Sequence, residues 1–261
     1  MRYSSLLLVY FALGAFGFTS NVHASKAMPF IIGGQDVASD DPIAATTVAL
    51  LVDRGASGQF LCTGSIIDED LVVTAGHCLG DDGHAKLTVV FDTHVSGSTL
   101  NVAATGTARP DAYVQDSNTQ GNMYDIALVH FSGGLPEGFH AAQLLGDSNE
   151  LSDGQEVVLA GYGVNLVPAS PSSDRGSGTL RKITVNIEKA HTKSTEVLVD
   201  ERHGKASCRG DSGGPAFVVQ DGVYRLFGVT SRGDLECSKL ALYTNILTHK
   251  AWIQQASALL R

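Results

Sequence analysis

The stretch Cys208-Arg209-Gly210-Asp211-Ser212-Gly213-Gly214-Pro215 sets a serine between an acid and two glycines and closes on a proline. Glycines at this density mark backbone that must turn tightly or approach another chain segment closely. The residues after Gly214 decide the kind of fold. Residues 215–220 and 224–230 are two Val-containing runs joined through Asp221-Gly222, so the turn feeds a pair of strands rather than a helix. The same pattern recurs outward along the chain. Runs rich in Val, Thr and Leu, bounded by Gly, Asp, Ser or Asn, occupy 46–52, 59–67, 71–74, 86–91, 99–108, 126–131, 156–161 and 180–187. Many short strands at tight spacing predict a sandwich or barrel. The Gly- and Pro-containing segment 132–153 reads as the boundary between two halves, and the polar segment 165–179 as a surface loop. Only the end of the chain changes period. Trp252, Ile253, Ala256, Leu259 and Leu260 recur at three and four residues, which predicts an amphipathic helix over 246–260 capped by Asn245 or Thr248.

The chain has 261 residues, 43% hydrophobic and 17% charged, too apolar and too weakly charged for a disordered protein. A net charge of −9 repels phosphate backbones, which argues against a nucleic-acid partner. No apolar run reaches the roughly 18–20 residues of a membrane span, so no membrane partner is expected. At the N-terminus, Arg2 precedes an apolar run from Leu6 to Phe18, and Val22-His23-Ala24 ends in a small residue. That is the grammar of a secretory leader cut after Ala24. Export to a secreted or extracellular location, or to the periplasm in a bacterium, is oxidising, so the four cysteines predict two disulfides. Three pairings are open. There is no C-x-x-C and no H-x-x-x-H, so neither a metal nor another cofactor is expected. The acid pair Asp81-Asp82 in the turn 80–86 reads as a solvated turn rather than a calcium loop, which takes about six to eight oxygens.

Two further segments complete a chemical set with the first: Thr74-Ala75-Gly76-His77-Cys78 and Asp125-Ile126-Ala127-Leu128. A serine hydroxyl is a weak nucleophile and needs a base within hydrogen-bond reach. An imidazole titrating near neutrality can take that proton and return it to the leaving group. A buried carboxylate fixes the imidazole tautomer. Together, and in the order His, Asp, Ser, the three blocks resemble the chymotrypsin/trypsin-like serine proteases over the whole of 31–261. The resemblance implies an all-β fold of two antiparallel six-stranded β-barrels with a C-terminal helix, the first barrel over about 31–140 and the second over about 141–244. It implies hydrolysis of peptide bonds through an acyl-enzyme, with Ser212 as nucleophile, His77 as base then acid, and Asp125 as orienter. The N–H groups of Gly210 and Ser212 would hold the oxyanion.

The same resemblance implies further roles. Ile31-Ile32-Gly33-Gly34 is similar to the family's mature start. Residues 25–30 would then be a propeptide cut after Phe30, freeing the Ile31 amine to pair with Asp211. Cys62 would pair with Cys78, and Cys208 with Cys237. The pocket for the residue before the cut would have Ala206 and Ser207 at its floor, with Ser231, Arg232 and Gly233 along one wall and a position near Ala241 on the other. Ser231 would donate to Asp125. With no acid at Ala206, an entering Arg or Lys would be a buried unpaired charge, so cleavage after apolar or small residues is expected. Arg232, with Arg209, would sit at the pocket entrance as a basic rim. Polypeptide substrates and protein inhibitors are the implied partners, and a monomer the implied state.

Two other readings compete. Gly210 to Gly214 also fits G-x-S-x-G, the nucleophile elbow of α/β-hydrolase esterases, but an elbow leads into a helix, and no βαβ alternation precedes Ser212. A catalytically silent secreted binding protein on the same fold would keep the architecture, since fold does not fix function. Such a protein has usually lost His, Asp or Ser, and here all three are present.

Overall fold

A computed structural model describes residues 31–81, 83, 85–96, 100–115, 123–165, 176–192 and 195–261. The expected leader (1–24) and propeptide (25–30) lie outside the described residues, as do Asp82 and most of the 165–179 loop.

Among the described residues, fourteen strands and one α-helix succeed one another along the chain. They are β1 (Gln35–Asp36), β2 (Thr47–Asp53), β3 (Gln59–Asp68), β4 (Leu71–Thr74), β5 (Lys86–Val90), β6 (Asn101–Ala108), β7 (Ala127–Phe131), β8 (Gln143–Leu144), β9 (Glu156–Gly161), β10 (Arg181–Lys189), β11 (Glu196–Asp200), β12 (Pro215–Gln220), β13 (Val223–Arg232), β14 (Leu240–Asn245) and α1 (Lys250–Leu260). Strands β2-β3-β4-β7-β6-β5 close into one antiparallel barrel. Strands β9-β10-β11-β14-β13-β12 close into the second, β9 pairing with both β10 and β12. The fold is therefore the expected pair of six-stranded barrels.

Period-two alternation explains how one set of strands serves two cores. In the first barrel Val48, Leu50 and Val52 of β2, Val72 of β4, and Val129 and Phe131 of β7 point inward, with Phe91 edge-on to Phe131 at 5.4 Å. The intervening Ala49, Val73 and Leu128 point outward and join the core of the second barrel. Each such Val or Leu contributes roughly 1.5–3 kcal/mol by leaving water.

The helix starts later than its periodicity predicts. Residues 246–249 form a 3₁₀ turn, and only Lys250–Leu260 is α-helical. Asn245 is the cap, its Oδ1 accepting from the N–H of Leu247 at 3.0 Å, while the Thr248 hydroxyl donates to the Asn245 carbonyl at 2.7 Å. The helix returns to the first barrel. Leu260 lies over Gly106, and Arg261 donates to Asp70 at 2.7 Å and also bonds Asp68. Hydrogen bonding from Arg261 holds both carboxyls below their ordinary range.

Four strands escaped the sequence pattern: β1, β8, β11 and β14. The reason is clearest in β11. Its first residue is Glu196, which reads as a polar boundary but is buried opposite Thr244, with its charge met by Arg232 from β13.

Candidate active site

Each predicted catalytic side chain is delivered by a short element end rather than from mid-strand. His77 stands in a 3₁₀ turn (Gly76–Leu79) directly after β4, and Asp125 just before β7. Antiparallel pairing of β4 with β7, Thr74 opposite Ala127, brings the two together. His77 Nδ1 lies 2.9 Å from Asp125 Oδ2, and the His77 backbone N–H donates to Oδ1 at 2.9 Å. The Ser231 hydroxyl donates to Oδ2 at 2.7 Å, as expected, and the Thr244 hydroxyl donates to the Asp125 carbonyl at 2.8 Å. Asp125 is fully buried, yet ionised: burial opposes its charge, but His77 and Ser231 outweigh that and hold its carboxyl below the usual range. The His77 side chain keeps 28% of its surface open. Burial disfavours its imidazolium, the Asp125 carboxylate favours it more strongly, and the balance raises the pKa above the ordinary 6.5.

Ser212 comes from the other barrel, in the turn before β12. Thr63 of β3 ties that turn to the first barrel, a role not legible in the sequence. Its N–H donates to the Ser212 carbonyl at 2.8 Å and its hydroxyl to the Gly210 carbonyl at 2.9 Å, while the Tyr162 N–H donates to the same hydroxyl oxygen at 3.1 Å. A lone Thr inside a strand carries no such signal in sequence. The glycines have specific reasons. Gly213 sits at φ +78°, and a Cβ there would come within 2.0 Å of Thr74 Oγ1. Gly210 sits at φ +95°, with Gly163 Cα 2.8 Å from where its Cβ would be. With the carbonyls of Gly210 and Ser212 engaged on Thr63, among the described residues neither of their N–H groups has a protein acceptor. His77, Gly210 and Ser212 line one cleft of about 990 Å³, shared with Arg54, Phe60 and Val164.

Asp211 turns the other way and is buried, accepting from the N–H groups of Gly163 and Cys208 at 2.8 Å each. Desolvation pushes its carboxyl up to about 7 despite those two donors and the Arg181 charge. Ile31 is buried, and Ile32 bridges to Ala206, whose N–H donates to the Ile32 carbonyl at 2.9 Å. The start of the described chain therefore lies alongside the segment that leads to Asp211. The disulfides are Cys62–Cys78 and Cys208–Cys237. Around the turn at Asp81, Arg109 donates to the Gly80 and Asp81 carbonyls at 2.7 and 2.9 Å.

One expectation about the specificity pocket is corrected. Arg232 is not a solvated rim charge. It is 12% exposed and forms a two-pronged pair with buried Glu196, Nη2 to Oε2 at 3.2 Å, because that carboxylate needs a counter-charge. Ala206 is buried, and Glu201 packs against the next residue, its Oε1 accepting from the Ser207 hydroxyl at 2.8 Å. Gly233 lies against Ala241.

Comparison with known proteins bears on the same regions. The family model described as Trypsin matches residues 31–253. Trypsin theta of Drosophila melanogaster is 28% identical over 265 residues, covering 97% of each chain. Trypsin Blo t 3 of Blomia tropicalis is 30% identical over 257 residues, 90% of this chain and 89% of that one. Snake venom serine protease 5 of Trimeresurus stejnegeri is 28% identical over 250 residues, 90% of each. A solved structure of HL collagenase superposes with a TM-score of 0.71 at 19% identity, covering 87% of this chain and 98% of that one, which speaks to the fold. The α/β-hydrolase reading falls with the two-barrel architecture. By family match, by relatives and by architecture, the chain belongs to the trypsin family of serine endopeptidases.

Proposed function

We propose that this protein is an exported endopeptidase that cuts polypeptides through an acyl-enzyme, with Ser212 as nucleophile, His77 as base and then acid, and Asp125 as orienter. One observation carries the reading. A fully buried Asp125 receives His77 Nδ1, the His77 N–H and the Ser231 hydroxyl, while His77 and Ser212 open on the same cleft. An acid so placed holds the imidazole with Nδ1 protonated and Nε2 free to take a proton. As the Ser212 oxygen bonds to the carbonyl carbon, its proton passes to His77 Nε2. The carbonyl oxygen becomes an oxyanion held by the Gly210 and Ser212 N–H groups. His77 then protonates the leaving amine, and a water molecule repeats the sequence on the acyl-enzyme. Aimed amide donors of this kind are worth about 10²–10³ in rate each.

Removal of 1–24 as a leader and cleavage after Phe30 belong to the same reading. Support comes from the leader grammar, from the buried position of Ile31, and from its φ of +45°, which a β-branched residue adopts only under constraint. The freed Ile31 amine would give Asp211 the counter-charge that a buried carboxylate requires. The protein would act as a monomer on polypeptides and be open to protein inhibitors. The preference before the cut would be for apolar or small residues, because Ala206, at the expected pocket floor, brings no carboxylate. The test is hydrolysis of a labelled protein substrate such as casein by the processed protein. Turnover that vanishes in Ser212→Ala supports the proposal. Equal turnover in the variant, or none in the wild type, as the silent binding protein would give, contradicts it.

A further inference from the structure

We propose that Arg54 and Arg209 make the cleft beside Ser212 a subsite for an acidic side chain in the first two residues after the cut. The inference rests on the reading of Ser212 as nucleophile and His77 as base. It concerns the half of the substrate that leaves, not the residue before the cut.

The cleft that holds His77, Gly210 and Ser212 takes one arginine from each barrel: Arg54 follows β2, and Arg209 stands in the turn before β12. The residues expected around the side chain before the cut, Ala206, Ser207, Ser231, Arg232 and Gly233, do not line it. A polypeptide with its carbonyl carbon at the Ser212 oxygen runs on in two directions, so this cleft receives the part beyond the scissile bond. Arg54 is held in place. Its Nη2 donates to the His77 carbonyl at 2.6 Å, and its guanidinium lies 4.7 Å from the centre of the Phe60 ring. Its charge is felt at the reacting groups, since it opposes protonation of the His77 imidazole. Arg209 has an exposed side chain on a fixed backbone, its carbonyl accepting from the Val164 N–H at 2.8 Å.

Charge balance points the same way. The chain carries a net charge of −9, yet among the described residues no Asp or Glu lines this cleft. Arg181, Arg202, Arg232 and Arg261 all pair with carboxylates. Among the described residues Arg54 and Arg209 do not. Asp53, next to Arg54 in the chain, is turned to the Gly55 N–H instead, at 2.8 Å. Arg54 Nη1 has no acceptor among the described residues, so its fork can still donate to a carboxylate, and the guanidinium plane suits that group. Two cations of one sign against the apolar wall of Phe60, Leu61 and Val164 focus a positive field in the cleft. A Glu or Asp side chain entering it gains a partner that the protein itself does not supply, and a Lys or Arg side chain is repelled.

The experiment is acyl transfer, which reads the leaving side by itself. Activated esters of acetylated Ala, Leu and Phe acylate Ser212 of the full processed protein, and an added dipeptide amide competes with water for the acyl group. Its α-nitrogen bonds to the acyl carbon, the bond from that carbon to the Ser212 oxygen breaks, and a proton of the amine passes through His77 to the oxygen. Glu-Ala and Ala-Glu amides are compared with their Gln and Lys counterparts at pH 8.5, and the coupled products are quantified by mass spectrometry. In wild type at least one Glu amide should outdo its Gln counterpart by about 5-fold or more, the scale of one or two partly exposed ion pairs, with Lys last. The advantage should shrink in salt of about 0.5 M. Arg209→Gln should lose part of it, Arg54→Gln/Arg209→Gln nearly all, and Arg209→Glu should favour Lys. Arg54→Lys keeps the charge and should keep the preference, even where loss of the bond to the His77 carbonyl slows every nucleophile alike. No Glu advantage in wild type, or one that survives in the double variant, would overturn the proposal. Failure of every ester to acylate Ser212 would strike the reading of the nucleophile, and this proposal with it.

Discussion

Asp125 shows what a single buried acid can organise. It takes three hydrogen bonds from two residues, one of them the backbone of the histidine it orients. Asp125→Asn keeps the shape but favours the wrong imidazole tautomer, and kcat should fall by about 10³–10⁴ with KM little changed, as steady-state kinetics would show. In the proposed mechanism the base is neutral His77, whose pKa is raised because the Asp125 carboxylate outweighs burial. Activity should therefore be full above that raised value and be lost as pH falls through it. The rising limb of the kcat/KM profile should lie above 6.5 in wild type and move down in Asp125→Asn. Thr63 is the less obvious case. Thr63→Val keeps the volume but leaves the Gly210 carbonyl and the Tyr162 N–H without their partner, a cost of about 1–3 kcal/mol each if neither finds water. Active-site titration should then show a smaller competent fraction or a slower acylation step. His77, Asp125 and Ser212 could be proposed from sequence because the chemistry assigned to them needs particular residue types in particular short blocks. Thr63 and Thr244 could not, because their hydrogen bonds run between barrels or across strands, and nothing in their neighbouring residues differs from an ordinary strand or turn.

At the scale of elements, the strands that are runs of Val, Leu and Thr between turn residues could be read directly. β4, β9 and β12 fall where the pattern placed them, and β2, β3 and β5 within a residue of it. β11 hid because burial of Glu196 depends on Arg232, far along the chain, and no local pattern reports a distant counter-charge. The pair is an element-level device, pinning β11 to β13 across the intervening β14. Arg232→Met should destabilise the protein by roughly 3–5 kcal/mol at pH 7, since it leaves an uncompensated buried carboxylate. Urea unfolding would measure it. Arg232→Met/Glu196→Leu should recover much of the loss. A deficit unrelieved in the double variant would mean that packing of the Arg232 stem, not charge, holds the strands.

For the whole molecule, two barrels share one apolar seam, and His77, Gly210 and Ser212 line one cleft. The two-barrel plan was legible through the resemblance, while composition alone reached no further than a sandwich or barrel. Activation belongs to this scale. With the chain continuous before Ile31, the raised pKa of Asp211 means that the folded state holds its proton more tightly than the unfolded state. Its contribution to stability is then present below the ordinary carboxylate value and lost as pH climbs towards about 7. Cleavage after Phe30 would supply an amine and reverse that loss. Calorimetry of the two forms should show a Tm difference in favour of the processed protein that widens from about pH 4 to pH 7. A difference constant across that range would separate Asp211 from activation.

The most direct measurement is covalent. A fluorophosphonate added to the processed protein at pH 8 should give one adduct per molecule, mapped by peptide mass to Ser212, slowed by orders of magnitude in His77→Ala and absent after denaturation. An adduct on another residue, or labelling of Ser212 that proceeds as fast without the imidazole, would contradict the account.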